Sequence, residues 1–410
     1  MKINFSPYLL CCLLAGPAWG QSISIENLKK HVTYLSSDAL EGRATGTKGA
    51  QLAAHYLAGQ FRQLKLKPLG SKSSYLQTYT YRLPTNPHDT ATTPAAADQT
   101  GTNVAGLLDN GADYTVVIGA HYDHLGLGYD GNSLDPNPKG KIHNGADDNA
   151  SGTAGVIELA RYFTKNQVRE AYNFLFVGFS GEELGLYGSK KFTEANDLTR
   201  VNYMLNMDMI GRLDPTTRRL LVMGVGTAPE WVNLLAGLKT DLQVKTDSAG
   251  VGPSDQTSFY LKKVPALMFF TGQHKDYHKP TDDADRINYE GEKQVLTYIA
   301  AVIRATEKLP RLTFTPTKNN SQDVPAFKVT LGVMPDYVYD GKGVRLDGVS
   351  EGKPAATAGL RAGDVVIRLG DTDVSNIQDY MKALSQFKKG DRTAVKVLRA
   401  GTEKTVEVTF

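Results

Sequence analysis

The sequence predicts an α/β protein with a mixed, mostly parallel central sheet, followed by a smaller domain rich in β-strands. Two observations predict the first domain: short apolar runs alternate with helical patterns between residues 103 and 305, and several of those runs end in His, Asp or Glu. A third, a cluster of Pro and polar residues at 309–325, separates the two domains. We therefore expect a linker at 309–325, with domains at 21–308 and 326–410.

The first twenty residues are typical of an export signal. Lys2 precedes the short apolar run YLLCCLLAG (8–16), and Ala18-Trp19-Gly20 offers small residues at the two positions that a signal peptidase reads. The run is too short to span a bilayer as a resident helix. We predict a signal peptide at 1–20 and a mature chain that starts near Gln21 without a transmembrane segment. We also predict export to the periplasm or the extracellular space.

Composition narrows the classes of partner and of chemistry. The 410-residue chain has a formal net charge of +3 and no Lys/Arg-rich run, which argues against a nucleic acid as partner. The only two cysteines, Cys11 and Cys12, both lie inside the predicted signal. The mature chain would then contain no disulfide, and no thiolate to serve as a nucleophile or a metal ligand.

Local patterns assign helices and strands on either side of the central region. Residues 24–66 show helical periodicity, with Thr47 as a candidate N-cap. Residues 83–102 are rich in Thr, Pro and Ala without periodicity, which indicates an exposed loop. In the second domain, TAVKVLRA and TEKTVEVTF indicate strands, and residues 377–387 indicate a helix.

Four apolar runs of the central region end in residues that commonly bind metals. We expect each run to be a strand of the sheet, and ligands of open α/β sheets bind beyond the carboxyl ends of the strands. A fifth segment, NGADDNASG (144–152), adds acidic residues in a turn before an amphipathic helix. The four runs are YTVVIGA (114–120) before HYDH, YNFLFVGFS (172–180) before GEE, NYMLNM (202–207) before Asp208, and VPALMFFTG (264–272) before QHKDYH.

Each segment alone is a weak signal, but their combination predicts a metal site. His, Asp and Glu supply the nitrogen and oxygen ligands that zinc takes, and one carboxylate can bridge two ions. The neighbours Glu182 and Glu183 would repel each other at the end of a buried strand. A metal site resolves this conflict, because one glutamate can bind metal while the other acts as a general base.

The five segments together resemble a known family. In this order, HYDH, NGADDNASG, GEELGLYGS, LNMDMIG and YHKPTDD closely resemble the double-zinc exopeptidases of metallopeptidase family 28, of the aminopeptidase S/Y type. The resemblance covers roughly residues 25–305. It implies a three-layer α/β/α zinc-exopeptidase fold, peptide substrates and two Zn²⁺ ions per chain, although other divalent metals can occupy such sites.

The resemblance also implies a role for individual residues. Asp148 would bridge the two ions, and Glu182 would be the general base. Asp123 would orient a zinc-binding histidine through its second ring nitrogen, and Tyr277 would donate to the developing oxyanion. The implied ligands are His121 and Asp208 for one ion, Glu183 and His278 for the other, and Asp148 for both.

The resemblance gives no ligand role to His124, His143 or His274, which we expect to face solvent or to contact the ligands from behind. Gln256 stands in SDQTSF (254–259) where the family pattern has His, so the resemblance says less about the substrate pocket than about the chemistry. In the family the peptide bond after the bridging Asp is cis, which here is the Asp148–Asn149 bond.

The C-terminal region resembles a PDZ domain of the bacterial envelope-protease kind. The matching words are LGV (331–333), PAATAGLRAGDVVIRLG (354–370) and GDRTAVKVLRAG (390–401). Such domains add a peptide end to a strand and hold its carboxylate with backbone amides of a Gly loop. Leu331, Gly332 and Val333 would form that loop and would bind peptide C-termini. The alternative is a β-rich module that serves only as a spacer or lid.

These features predict an exported zinc aminopeptidase that hydrolyses the N-terminal peptide bond of peptides. Three alternatives remain open from the sequence. A carboxypeptidase would need a cation for the terminal carboxylate, for which Arg212 is the obvious nearby candidate. A glutaminyl cyclase uses the same scaffold, typically with a single zinc. The third alternative is a peptide-binding protein without catalysis.

Overall fold

A computed structural model describes residues 22–70, 73–82, 98–130, 132–317, 329–336, 339, 341–349 and 352–410. The predicted signal at 1–20, with Cys11 and Cys12, lies outside these residues, as does most of the loop expected at 83–102. Within the described part of the chain, no helix is both long and apolar enough to cross a membrane.

Seven helices of the described chain belong to the first domain. The predicted cap is confirmed, because the Thr47 side chain accepts a hydrogen bond from the Ala50 amide at the start of its helix. The helices are α1 Ile25–Leu35, α2 Lys48–Gln63, α3 Gly152–Lys165, α4 Tyr187–Ala195, α5 Glu230–Gly237, α6 Gln256–Leu261 and α7 Tyr289–Thr306.

Nine strands form one sheet in the order β1-β3-β5-β4-β6-β9-β7-β8, with β2 paired to β3. These strands are β1 Lys67–Pro68, β2 Leu76–Tyr81, β3 Gln99–Leu108, β4 Thr115–His121, β5 Asn173–Phe179, β6 Val201–Met207, β7 Arg219–Met223, β8 Gln243–Asp247 and β9 Ala266–Phe270. The central strands β5, β4, β6 and β9 are mutually parallel, whereas β3 and β7 run antiparallel to the strands beside them in this group. The predicted α/β fold with a mixed, mostly parallel sheet is therefore confirmed.

Apolar side chains cover both faces of this sheet. Alternate residues of a strand point to opposite faces, and β5 shows this clearly. Phe174 and Phe176 belong to the cluster packed by α1, α2, α3, α5 and α7, whereas Val177 and Phe179 belong to the cluster packed by α4 and α6. The first domain consequently has three layers, and the carboxyl ends of its central strands are left to form a site.

The second domain has its own sheet and its own hydrophobic core. Its strands follow the order β10-β11-β12-β14-β15, with β13 paired to β12. Both strands and the helix predicted from its sequence are confirmed. The elements are β10 Val333–Pro335, β11 Val344–Val349, α8 Pro354–Thr357, β12 Val365–Leu369, β13 Thr372–Asp373, α9 Ile377–Leu384, β14 Arg392–Arg399 and β15 Thr402–Thr409.

The described part of the predicted linker, residues 309–317, lies against the first domain. Leu312 is buried in the core of that domain. The Thr315 amide donates to the Thr227 carbonyl at 2.8 Å, and the Thr317 amide donates to the Tyr260 hydroxyl at 3.0 Å. The chain therefore leaves the first domain at a fixed point, while the domain boundaries themselves stay a prediction.

Candidate metal centre and active site

The strand ends bring the predicted metal ligands together at one edge of the sheet. His121 is the last residue of β4, and Asp208 directly follows β6. Glu183 lies in the loop after β5, and His278 in the loop after β9. Because these four strands are parallel neighbours, their carboxyl ends meet. Asp148 reaches the same place from the turn before α3.

Asp148 lies between the two histidines. Its Oδ1 is 3.4 Å from His121 Nε2, and its Oδ2 is 3.2 Å from His278 Nε2. Asp208 Oδ1 is 3.5 Å from the same nitrogen of His121, and Glu183 Oε2 is 3.3 Å from that of His278. The five side chains thus form two groups of three, with the Asp148 carboxylate common to both.

These spacings match those of ligands around zinc. Two atoms that each lie 2.0–2.2 Å from a tetrahedral ion are about 3.3–3.6 Å apart. The Nε2–carboxylate distances at both ends of Asp148 fall close to that range. His121, Asp148 and Glu183 also offer ligand atoms within 4.8 Å of one another. The donor set, two imidazoles and three carboxylates, suits a dication.

Hydrogen bonds fix which ring nitrogen of each histidine faces the centre. His121 Nδ1 lies 3.2 Å from the carbonyl oxygen of Asp123, and His278 Nδ1 lies 2.9 Å from that of Asn132. A carbonyl only accepts, so each Nδ1 carries a proton and each Nε2 faces the centre, where it presents its lone pair in the neutral form of the ring. The Asp123 carboxylate, at 3.7 Å from His121 Nδ1, is farther away than the carbonyl.

The two neighbouring glutamates have opposite pKa shifts. Burial raises the pKa of Glu182 well above its ordinary value, with Glu183 and Asp208 adding to this rise against the opposing charge of His121. Burial also acts to raise the pKa of Glu183, but His278 and His124 outweigh it and hold that pKa well below its ordinary value. A carboxyl group with a raised pKa can accept and release a proton, whereas one with a lowered pKa stays ionised.

Asp123 connects the glutamate loop to the turn that precedes α2. Its Oδ1 accepts a hydrogen bond from the Glu182 amide at 3.3 Å, and its Oδ2 accepts one from the Thr45 hydroxyl at 2.8 Å. Since its carbonyl also accepts from His121, this buried residue supports a predicted ligand and the predicted base at once.

Two side chains with no role assigned from the sequence support Asp148. Asp282 Oδ2 accepts hydrogen bonds from the backbone amides of Asp147 and Asp148, at 3.0 and 3.1 Å. The Asn149 amide group donates to the Met207 carbonyl at 2.9 Å and accepts from the Met209 amide at 3.2 Å, which joins this turn to the end of β6. The Asp148–Asn149 peptide bond is cis, as the resemblance implied.

Arg43 is the third residue that the sequence analysis left without a role. Its guanidinium is fully buried and donates to the carbonyls of Tyr122 and Gly145, both at 2.6 Å, and of Leu35 at 3.0 Å. It also donates to the Asn144 carbonyl. Burial lowers the pKa of Arg43 to about 10, so the group is still charged at neutral pH. Arg43 therefore holds the HYDH and GADDN segments side by side.

The three histidines without an expected ligand role all lie behind or beside the centre. His124 Nδ1 is 2.8 Å from Glu183 Oε1, and its ring lies edge-on to that of His278, with ring centroids 5.8 Å apart. His274 Nε2 is 3.2 Å from Asp147 Oδ2, and His143 Nε2 is 2.7 Å from the Ser133 hydroxyl. Gln256, the residue that departs from the family pattern, is buried and accepts from the Asn206 amide group at 3.2 Å.

A pocket with an apolar wall opens above the five predicted ligands and Glu182. Tyr277 lies in this wall and stacks on His278, with ring centroids 3.9 Å apart. No Arg or Lys occurs among the described residues that line the pocket, and Arg212 instead pairs with Asp276 at 3.2 Å. The apolar lining consists of Met209, Met223, Pro253, Met268, Phe270 and Tyr277.

The predicted carboxylate loop of the second domain also has a defined geometry. The Leu331 side chain is buried in the core of this domain, and Val333 begins β10. Gly332 has a φ of 72°, a backbone conformation that favours glycine. Its amide donates to the Thr330 hydroxyl at 2.9 Å.

Comparison with known families agrees with this arrangement. Residues 103–303 match peptidase family M28, a span that contains every predicted metal ligand and Glu182. This region belongs to family M28. Residues 313–410 match the PDZ domain family, so the M28 domain is followed by a PDZ domain.

Individual relatives give a consistent picture. The chain is 27% identical over 272 residues to leupeptin-inactivating enzyme 1 of Streptomyces exfoliatus, which covers 64% of this chain and 52% of that protein. It is 27% identical over 223 residues to leucine aminopeptidase 2 of Arthroderma otae, covering 45% of this chain and 43% of that protein. The matches thus span about half the length of these curated relatives.

Solved structures show the same fold. A zinc aminopeptidase from Bacillus subtilis superposes with a TM-score of 0.53 at 17% identity, covering 71% of this chain and 98% of that one. At this level of identity the likeness concerns the fold alone. The three-layer fold implied by the resemblance is therefore confirmed.

Proposed function

We propose that this protein is an exported zinc aminopeptidase that removes the N-terminal residue of peptides at a two-ion centre. The observation that carries the proposal is the position of Asp148, whose two carboxylate oxygens face different histidines at 3.4 and 3.2 Å. A carboxylate shared in this way can bridge two ions. His121 and Asp208 would complete one set of ligands, and Glu183 and His278 the other.

Glu182 is the proposed general base. Zinc bound at this centre would polarise the scissile carbonyl and lower the pKa of a water bound to it toward about 7. Glu182 would take the proton of the attacking water and then pass it to the leaving amine. Its raised pKa supports the second step, because the side chain can hold the proton between the two transfers. Tyr277, beside His278 in the pocket wall, is the proposed donor to the oxyanion.

The lining of the pocket supports cleavage at the amino end. The carboxylates of Glu182, Glu183 and Asp208 face the cavity and suit a protonated substrate amine, whereas a terminal carboxylate would need a cation. Arg212, the candidate cation of a carboxypeptidase, is paired with Asp276. The wall of methionine and phenylalanine side chains favours an apolar first residue, in line with a relative that is a leucine aminopeptidase.

The test uses one peptide in free, N-acetylated and C-amidated forms, with product masses followed over time. We expect stepwise loss of residues from the amino end, blocked by acetylation and unaffected by amidation of a short peptide. Loss from the carboxyl end would move the function to a carboxypeptidase, and a water-loss product without cleavage would move it to a cyclase. An unchanged peptide in every form would favour a binding protein without catalysis.

The role of Glu182 has its own test, with its neighbour as the matched control. Glu182→Gln should retain both ions and lower kcat by about 10²–10⁴, because only proton transfer is lost. Glu183→Gln should instead lose metal. Metal content by elemental analysis, measured beside kcat, separates the two outcomes. Near-normal kcat in Glu182→Gln would refute the base assignment.

A further inference from the structure

A cavity of about 120 Å³ is lined by residues of both domains. Its volume is roughly ten times the space that one water molecule needs, so it has room for part of a chain. Leu221, Met223 and Asp247 line it from the M28 domain, and Pro335, Asn376 and Ile377 line it from the PDZ domain.

Met223 lies at both this cavity and the active-site pocket. Met223, the last residue of β7, lines both the cavity between the domains and the pocket above the predicted metal ligands. The thioether side chain of Met is flexible and adapts to different neighbours. A substrate in the active-site pocket that continued past Met223 would enter the cavity between the domains.

The outer side of β10, here called the PDZ groove, points toward the same cavity. β10 is an edge strand of its sheet, so its outer side is open to an added strand among the described residues. It runs from the carboxylate loop at Leu331–Val333 to Pro335, and Pro335 lines the cavity together with Ile377, the first residue of α9. A peptide added antiparallel to β10 has its C-terminus at the loop and its upstream residues at the cavity.

The loop itself suits a peptide carboxylate. A Cβ at Gly332 would lie 2.2 Å from Lys353 Cβ, so the stem of this cationic side chain covers the glycine closely. The Gly332 amide donates to the Thr330 hydroxyl, a neutral acceptor that a carboxylate would replace with a stronger one.

We propose that the PDZ groove and the active-site pocket form one continuous track for a single peptide. Its C-terminal carboxylate binds at Leu331–Val333, its middle crosses the cavity past Met223, and its first residue lies over the metal centre. This inference rests on the proposed aminopeptidase function and narrows the substrate class to extended oligopeptides with both ends free. Three residues along β10, about two across the cavity at ~3.3 Å each and the first residue over the metal centre set a minimum of about six residues.

In such a track one peptide is bound at two places, by its C-terminal carboxylate in the PDZ domain and by its first residue at the metal centre. Once the carboxylate is bound, the amino end reaches the metal centre at a raised effective concentration. Amidation of the C-terminus removes the charge that the loop at Leu331–Val333 would bind, and it leaves the N-terminal peptide bond unchanged. The effect should consequently appear in KM and not in kcat.

The experiment measures kcat and KM of the full-length, zinc-loaded protein on peptides with leucine first. Peptides of three and ten residues are each prepared as the free acid and as the C-terminal amide. For the ten-residue pair we expect a KM at least tenfold lower for the acid at equal kcat. The three-residue pair should show no such difference, because it is too short to reach the loop.

Matched glycine variants connect the effect to the loop. Gly332→Ala introduces the close contact with Lys353 and should remove the difference between acid and amide. Gly401→Ala, also at a left-handed position of the PDZ domain (φ 80°) but with nothing within 4 Å of the added Cβ, should retain it.

The outcomes distinguish this inference from the proposed function. Cleavage of the three-residue peptides together with equal KM values for the ten-residue acid and amide would overturn the continuous track alone. A difference between acid and amide that persisted in Gly332→Ala would also overturn the track. Absence of any N-terminal cleavage would overturn the aminopeptidase function itself.

Discussion

The two halves of the proposed metal centre are built in different ways. His121 and Asp208 are fixed by strands, since one ends β4 and the other directly follows β6. Glu183 lies four residues past the end of β5 at Phe179, and His278 lies eight residues past the end of β9 at Phe270. The first half therefore inherits the rigidity of a buried sheet, whereas the second depends on two loops.

The supporting contacts differ in the same way. The partner of His121 Nδ1 is Asp123, only two residues along the chain. The partner of His278 Nδ1 is the carbonyl of Asn132, which belongs to a different loop, and His278 itself has a φ of 53°. Loops open at lower free energy than core strands. The site therefore has a strand half, His121 and Asp208, and a loop half, Glu183 and His278, and the loop half should release its ion first.

The largest effect is expected at the residue that joins the halves. Asp148→Ala should remove metal from both, because each proposed ion loses a ligand and the mutual repulsion of the ions is no longer screened. Activity should fall well beyond the ~10–100-fold typical of residues outside the ligand set. Asp285→Ala, at an exposed carboxylate, is the control. Two bound ions in Asp148→Ala, by elemental analysis, would contradict the bridge.

The stability of the strand half should also depend strongly on Arg43, which connects the HYDH and GADDN segments. Arg43→Met leaves several buried carbonyls without a donor, and we expect the free energy of unfolding to fall by about 3–5 kcal/mol. Urea unfolding of the metal-free protein measures this without a contribution from bound ions. Arg62→Met, an exposed arginine near Tyr75, should change stability by less than about 1 kcal/mol. Equal effects of the two substitutions would show that Arg43 does not connect these segments.

Limited chelation tests the difference between the halves directly. The wild-type protein should lose zinc in two kinetic phases, the faster from the loop half. His278→Ala should abolish the fast phase, and His121→Ala should abolish the slow one. Zinc release into a chromogenic chelator gives both rates. The reverse assignment would mean that loop position does not govern release.

The smallest effect is expected from the residues that hold the ligands from behind. His124 contacts Glu183 in the loop half, and Thr45 contacts Asp123 in the strand half, each at 2.8 Å. His124→Ala should weaken zinc binding by about 10–100-fold. Thr45→Val should weaken zinc binding less, since Asp123 keeps its other contacts and its position beside β4. A competitive chelator titration measures both, and a larger loss in Thr45→Val would reverse the comparison.

The sequence predicted the ligands of the strand half better than the residues that hold those ligands in position. The apolar runs indicated β4, β5, β6 and β9, and parallel neighbours necessarily bring their ends to one edge, so the ligand types at those ends sufficed. The supporting roles of Arg43, Asn149 and Asp282 were not identified because these side chains act on backbone groups. Asp282 contacts Asp147 across 135 positions, and Arg43 contacts Asn144 across 101. Such contacts depend on tertiary structure and leave no local pattern in the residue types.

The loop residues were predicted in identity but not in detail. Family resemblance indicated His278 as a ligand, yet the partner of its ring nitrogen is a carbonyl, which any residue at position 132 would supply. Asp123 was expected to orient His121 through its carboxylate, and its carbonyl lies nearer. Whether a residue acts through its main chain cannot be inferred from its side chain.

The methionine-lined wall has a chemical consequence of its own. Met209, Met223 and Met268 present thioethers around the pocket, and oxidants convert a thioether into a polar sulfoxide. The carboxylate and imidazole ligands are not changed by that reaction. Under the proposed function, an oxidising environment would therefore alter which first residues are preferred, and access past Met223, before it damaged the proposed metal centre. Reduction of the sulfoxides would restore the original preference.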